Sequence, residues 1–102
     1  MLVPATSGAD SGWISLVPNA KYRKKNGYVT VVLAVDGLTS DNWNTIGTLP
    51  SGYRADIICY FMGSNGGTGS YNCLITIDTN GVVKAKPLGG TYAYGTCVFP
   101  VA

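Results

Sequence analysis

The chain has 102 residues, with seven Lys or Arg, five acids that are all Asp, and no His, Glu or Gln. This length accommodates one domain with one core. A 46% apolar and 12% charged composition with net charge +2 excludes disorder and leaves no broad basic footprint for nucleic acid.

Taken in chain order, residues 1–12, MLVPATSGADSG, lack the basic start and apolar core of a leader and read as an arm. The domain is expected over 13–102. It is rich in strand formers, with ten Val, six Ile, ten Thr and seven Tyr, and is punctuated by 14 Gly and five Pro. A short first strand is expected over 13–17. A polar strand over 21–25 carries Lys21, Arg23, Lys24 and Lys25 and reads as a solvated edge that discourages aggregation, with attraction to anionic polymers as the alternative. Asn26-Gly27 is a two-residue hairpin signal. Residues 28–36 alternate, with Val29, Val31, Leu33 and Val35 on one face. Further strands are expected over 43–49, 54–62, 71–78, 82–86 and 92–101. They are separated by the Pro50-Ser51-Gly52 turn, a glycine-rich loop at 63–70 and the Thr79-Asn80-Gly81 turn. No segment has helical periodicity, and none has the apolar length of a membrane-spanning helix. About eight short, regularly spaced strands predict an all-β chain, an antiparallel sandwich or barrel.

Cys59, Cys73 and Cys97 each alternate with apolar neighbours, so they read as buried thiols. An odd count leaves one over if a disulfide forms, and no spacing resembles a zinc knuckle. Without His, neither a Ser–His–Asp nor a Cys–His constellation can be built. Asp36 and Asp41 flank one loop, but Asp and Gly there serve turn chemistry, and the oxygen ligands of a dedicated calcium site are too few. The glycine-rich loop has no terminal lysine and no following helix, so it is not a phosphate loop. The expectation is no enzyme, no metal and no cofactor.

Four segments carry a resemblance. They are Trp13-Ile14-Ser15-Leu16; Tyr22-Arg23-Lys24 with Asn26-Gly27; the run Ile46 to Arg54, IGTLPSGYR; and Ile75-Thr76-Ile77 with Asn80-Gly81-Val82. In this order they resemble the C-terminal receptor-binding head domains of tailed-phage tail fibres and baseplate proteins, over nearly all of 13–102. Ala55 departs from the family, which commonly has Pro after the Tyr-Arg pair. The resemblance implies a β-sandwich head that forms a homotrimer on the phage tail, assembles in the host bacterial cytoplasm and binds host cell-wall saccharide without catalysis. It also implies the rest of the fibre or baseplate as partner, reached through the arm. Scarce charge and abundant apolar surface independently favour burial between subunits. A purely structural fibre cap or trimerisation domain, and a stand-alone carbohydrate-binding module, are the alternatives.

For the ligand, Asp41, Asn42, Trp43 and Asn44 combine an indole face with amide and carboxylate groups, a mixture suited to a sugar, with a core or interface place for Trp43 as the alternative. The loop 64–70, or Tyr92 and Tyr94 from another subunit, is expected to complete the pocket. Trp13 is expected against the core or a subunit axis. Arg54 is expected to pair with Asp56 or with an Asp of a neighbour. Neither nucleic acid nor membrane insertion is expected.

Overall fold

A computed structural model describes residues 10–65 and 72–101. The described residues form eight antiparallel strands and no helix: β1 (Ile14–Val17), β2 (Ala20–Lys25), β3 (Tyr28–Val35), β4 (Asn44–Thr48), β5 (Cys59–Gly63), β6 (Cys73–Ile77), β7 (Val82–Pro87) and β8 (Ala93–Pro100). They build two four-stranded sheets, ordered β1-β2-β3-β8 and β4-β7-β6-β5. The all-β sandwich expected from strand spacing is therefore present. Residues 1–9 of the arm and 66–70 of the glycine-rich loop lie outside the described residues. Asp10, at the end of the arm, bridges to Lys25.

Period-two patterning places the core between the sheets. Val29, Val31 and Leu33 of β3 face Cys97 and Phe99 of β8, and Ile75, Ile77, Val83 and Ala85 close the space from the other sheet. Asn26 and Gly27 both take positive φ, 55° and 81°, as the β2–β3 hairpin requires. Gly63 is needed for a different reason. A Cβ there would collide with the Tyr94 carbonyl oxygen, because Ser64 and Tyr94 exchange backbone hydrogen bonds (2.7 and 2.9 Å) that tie β5 of one sheet to β8 of the other.

Three expectations are corrected. The basic strand is not an edge: β2 lies between β1 and β3, and Arg23 is paired with Asp10. The strand expected over 54–62 begins only at Cys59. Arg54 turns back to donate its Nε–H to the Leu49 carbonyl (2.9 Å), and Ala55 is buried, so the chain from Tyr53 to Ile58 runs through bends and irregular backbone rather than a ladder. Arg54 therefore does not reach Asp56, and Asp10–Arg23 is the one ion pair among the described residues.

The three cysteines are free thiols. Cys73 and Cys97 are fully buried, as their alternation predicts, and desolvation pushes the Cys97 thiol up to about 12. Cys59 is only half-buried, and its thiol is raised by the same cause. Tyr53 packs against the core, its ring set edge-on to Tyr22 at 5.1 Å with Lys24 over its face at 4.8 Å.

Candidate saccharide site on the second sheet

The loop that precedes β4 is fixed by its own polar side chains. Asn44 accepts a hydrogen bond from the Thr39 N–H (3.0 Å), and its amide donates to the carbonyls of Thr39 (3.0 Å), Asn42 (2.8 Å) and Ala85 (3.3 Å). Asp41 takes a positive φ of 60°; its carboxylate accepts from the Gly89 N–H (3.1 Å) and its own N–H donates to the Pro87 carbonyl (2.7 Å). Asn42 donates to Ser40 (3.0 Å). Of these three residues, expected as ligand contacts, Asp41 and Asn44 hold the loop against β7 and the segment after it, and Asn42 braces the loop internally. What the loop presents outward is Trp43, which stands beside Lys86 with the ammonium 5.9 Å from the ring centre.

Trp43 lines a shallow groove of about 250 Å³ with Ile58, Tyr60, Thr76, Asp78 and Lys84. Strand register explains why these six meet. Tyr60 pairs with Thr76, Thr76 with Lys84, and Lys84 with Thr45, so one row crosses all four strands of the second sheet. Alternate side chains of a strand share a face, so the inward positions Cys59, Phe61, Ile75, Ile77 and Val83 leave Tyr60, Thr76 and Lys84 outward. The groove is smaller than the roughly 300–1,000 Å³ typical of enclosed small-molecule pockets, and it suits a unit lying on the surface. Neither Asp78 nor Lys84 is in an ion pair among the described residues. Two aromatic rings, a carboxylate and an ammonium thus share one open face, with the buried Thr76 beneath them.

Tyr92 and Tyr94 do not line this groove. Their rings pack on each other, with centres 5.2 Å apart and planes inclined at 49°. The loop 64–70, also expected to contribute, is described only at Ser64 and Asn65, and Asn65 is buried, its amide donating to the Leu88 carbonyl (2.7 Å). Ile58, Tyr60, Thr76, Asp78 and Lys84 were not singled out from the sequence. Their outward parity was readable, but the order β4-β7-β6-β5 that aligns them was not.

A second and larger groove, about 510 Å³, lies on the outer side of the first sheet, between Trp13, Val17, Lys21, Val32 and Ala34. Its tryptophan is already engaged: Lys21 and Arg23 stand 4.8 and 5.6 Å from the Trp13 ring centre. No group of three or more Cys, Asp, Glu or His able to hold a metal occurs among the described residues. Among the described residues no helix is long and apolar enough to cross a membrane. No protein-family model, no curated protein and no solved structure matches this chain.

Proposed function

We propose that this chain is a non-catalytic attachment module, the receptor-binding head of a tailed-phage tail fibre or baseplate protein, and that it takes host cell-surface saccharide in the groove between Trp43 and Tyr60. The observation that carries the reading is the row Tyr60–Thr76–Lys84, with Trp43 and Asp78 beside it, on an exposed sheet face. Aromatic faces give apolar contact to the hydrogen-rich side of a sugar, while hydroxyl, ammonium and carboxylate groups hold its hydroxyls in a fixed pattern. Such a shallow site binds weakly on its own. Several copies on one fibre tip raise the net affinity through effective concentration. The segment Ile46–Arg54, which carries much of the resemblance to phage heads, supplies turn and core rather than ligand contacts: Leu49 is buried, and Tyr53 packs on Tyr22.

The test is adsorption of the purified protein to a panel of isolated Gram-positive cell walls, with soluble wall polysaccharide as competitor. The reading expects retention on one or a few walls, loss of retention with competitor, and loss again with Trp43→Ala. Retention by none, or equal retention by wild type and Trp43→Ala, contradicts it.

A further inference from the structure

β5 is an edge strand that the fold leaves half paired. One side runs along β6 in unbroken register from Cys59 to Gly63. In an antiparallel ladder, successive residues turn their N–H and C=O groups alternately to one neighbour and then the other. Ser64 turns its groups to Tyr94, so Tyr60 and Met62, of the same parity, also turn theirs away from β6. β8 there belongs to the other sheet, and no backbone partner meets the outer side of Tyr60 or Met62 among the described residues.

The other three sheet edges are blunted. β1 is bulged between Ser15 and Val17, and β4 between Thr45 and Gly47. β8 ends at Pro100 and is tied to Ser64. Bulges, prolines and covering segments are devices that discourage pairing with another chain. β5 has neither bulge nor proline, and no charged residue occurs from Ile57 through Ile77. Instead, Ile57, Ile58, Tyr60 and Met62 are 67, 39, 73 and 64% exposed, and three of them are the most exposed large apolar side chains among the described residues.

We infer that the β5 edge is a self-association surface that takes the β5 edge of a second copy of this chain, antiparallel about a twofold axis. Unpaired N–H and C=O groups select a strand as the occupant. The edge is also its own complement. With Phe61 on the axis, Tyr60 faces the partner's Met62, and each such pair exchanges two N–H···O bonds. The phenol ring then lies against the thioether, a favourable contact, and no charge opposes the approach. Edge-to-edge pairing covers only part of Tyr60 and Met62 and leaves the outward sheet face open, less than the roughly 1,000 Å² of a specific interface. Association is therefore concentration dependent. It joins the two second sheets into one, with both Trp43 grooves on the same face. The inference stands on the edge alone and does not depend on the saccharide reading. It assigns a twofold contact where the resemblance implies a threefold one.

Light scattering coupled to size exclusion, over a micromolar to millimolar series, tests it. The wild-type mass should rise from 10.7 kDa toward twice that value. Met62→Lys, which places a charge on the strip, should stay at 10.7 kDa throughout. Tyr60→Pro, which removes the outward N–H together with the phenol ring and is of a kind tolerated on edges, should do the same with its circular dichroism unchanged. Val98→Lys, on the first sheet, should still pair. A wild type that stays monomeric across the series, a mass of three chains, or a dimer that persists in Met62→Lys overturns the inference.

Discussion

The two tryptophans are almost equally exposed, Trp13 at 46% and Trp43 at 45%, yet their surroundings differ. Trp13 has Lys21 and Arg23 over its ring, and Arg23 is fixed in turn by Asp10, so its face is spent inside the molecule. Trp43 is held from behind by a loop that Asn44 and Asp41 pin to β7, and its ring borders an open groove with Tyr60 across from it. Exposure alone does not distinguish a binding residue from a surface clamp. What distinguishes them is how far the polar groups nearby are committed to the ring: two cations stand over Trp13, while Trp43 has Lys86 alone, at 5.9 Å, and its neighbours Asp41 and Asn44 bond the backbone beneath it.

The largest expected effect separates the two rings directly. Trp43→Ala should weaken wall binding at least tenfold, the scale of losing a central aromatic contact, with little change in melting temperature. Trp13→Ala should leave binding intact and cost roughly 0.5–1 kcal/mol of stability, the scale of exposed cation–π contacts. Binding lost with Trp13→Ala and kept with Trp43→Ala would invert the assignment. An intermediate effect is expected for Asn44→Ala. Removing four side-chain hydrogen bonds should cost about 1–2 kcal/mol, in the range for a loop-holding polar group, and should weaken binding because Trp43 loses its support. Unchanged melting and unchanged binding in this variant would show that the loop holds its shape without Asn44.

The smallest effect concerns the clamp under Trp13. The hydrogen bond from Arg23, then that from the Gly12 N–H, holds Asp10 at about 2, against an ordinary value of 3.8. A carboxyl whose folded value is depressed stabilises the fold above its unfolded value, and that contribution disappears as pH falls through the folded one. The advantage of wild type over Asp10→Asn should therefore be complete above about pH 4, shrink below it and be gone below about 2. Melting curves of the two proteins at stepped pH measure it. A gap that does not close on acidification would show that the ion pair is not its source.

Much of the fold was legible because short-range rules dominate it. Asn26-Gly27 specified its hairpin, Val29, Val31 and Leu33 specified a buried face, and the parity of Cys73 and Cys97 placed both thiols inside. The segment 54–58 was misread because its alternation is genuine, while the bond from Arg54 to the Leu49 carbonyl, which breaks the strand, is a tertiary contact. Lys21 to Lys25 looked like an edge because strand order within a sheet leaves no local mark. The candidate site shows the same division. Trp43 stood out from its neighbours in the chain. Tyr60, Thr76 and Lys84 lie 17, 33 and 41 residues away in sequence, and only the register of β5, β6 and β7 aligns them with it. Asp41, Asn42 and Asn44 fix the loop with the same amides and carboxylates that bind a sugar, so residue type alone does not separate the two roles.

The central claim is that saccharide lies on Trp43, and the chain has only two tryptophans to report on it. Replacing Trp13 with Phe leaves Trp43 as the single indole, so its emission can be titrated with polysaccharide from a wall that retains the protein. The account predicts a saturable change in that emission, and none from Trp13 in the reciprocal Trp43→Phe protein. Polysaccharide that co-sediments with the Trp13→Phe protein while Trp43 emission stays constant would contradict it.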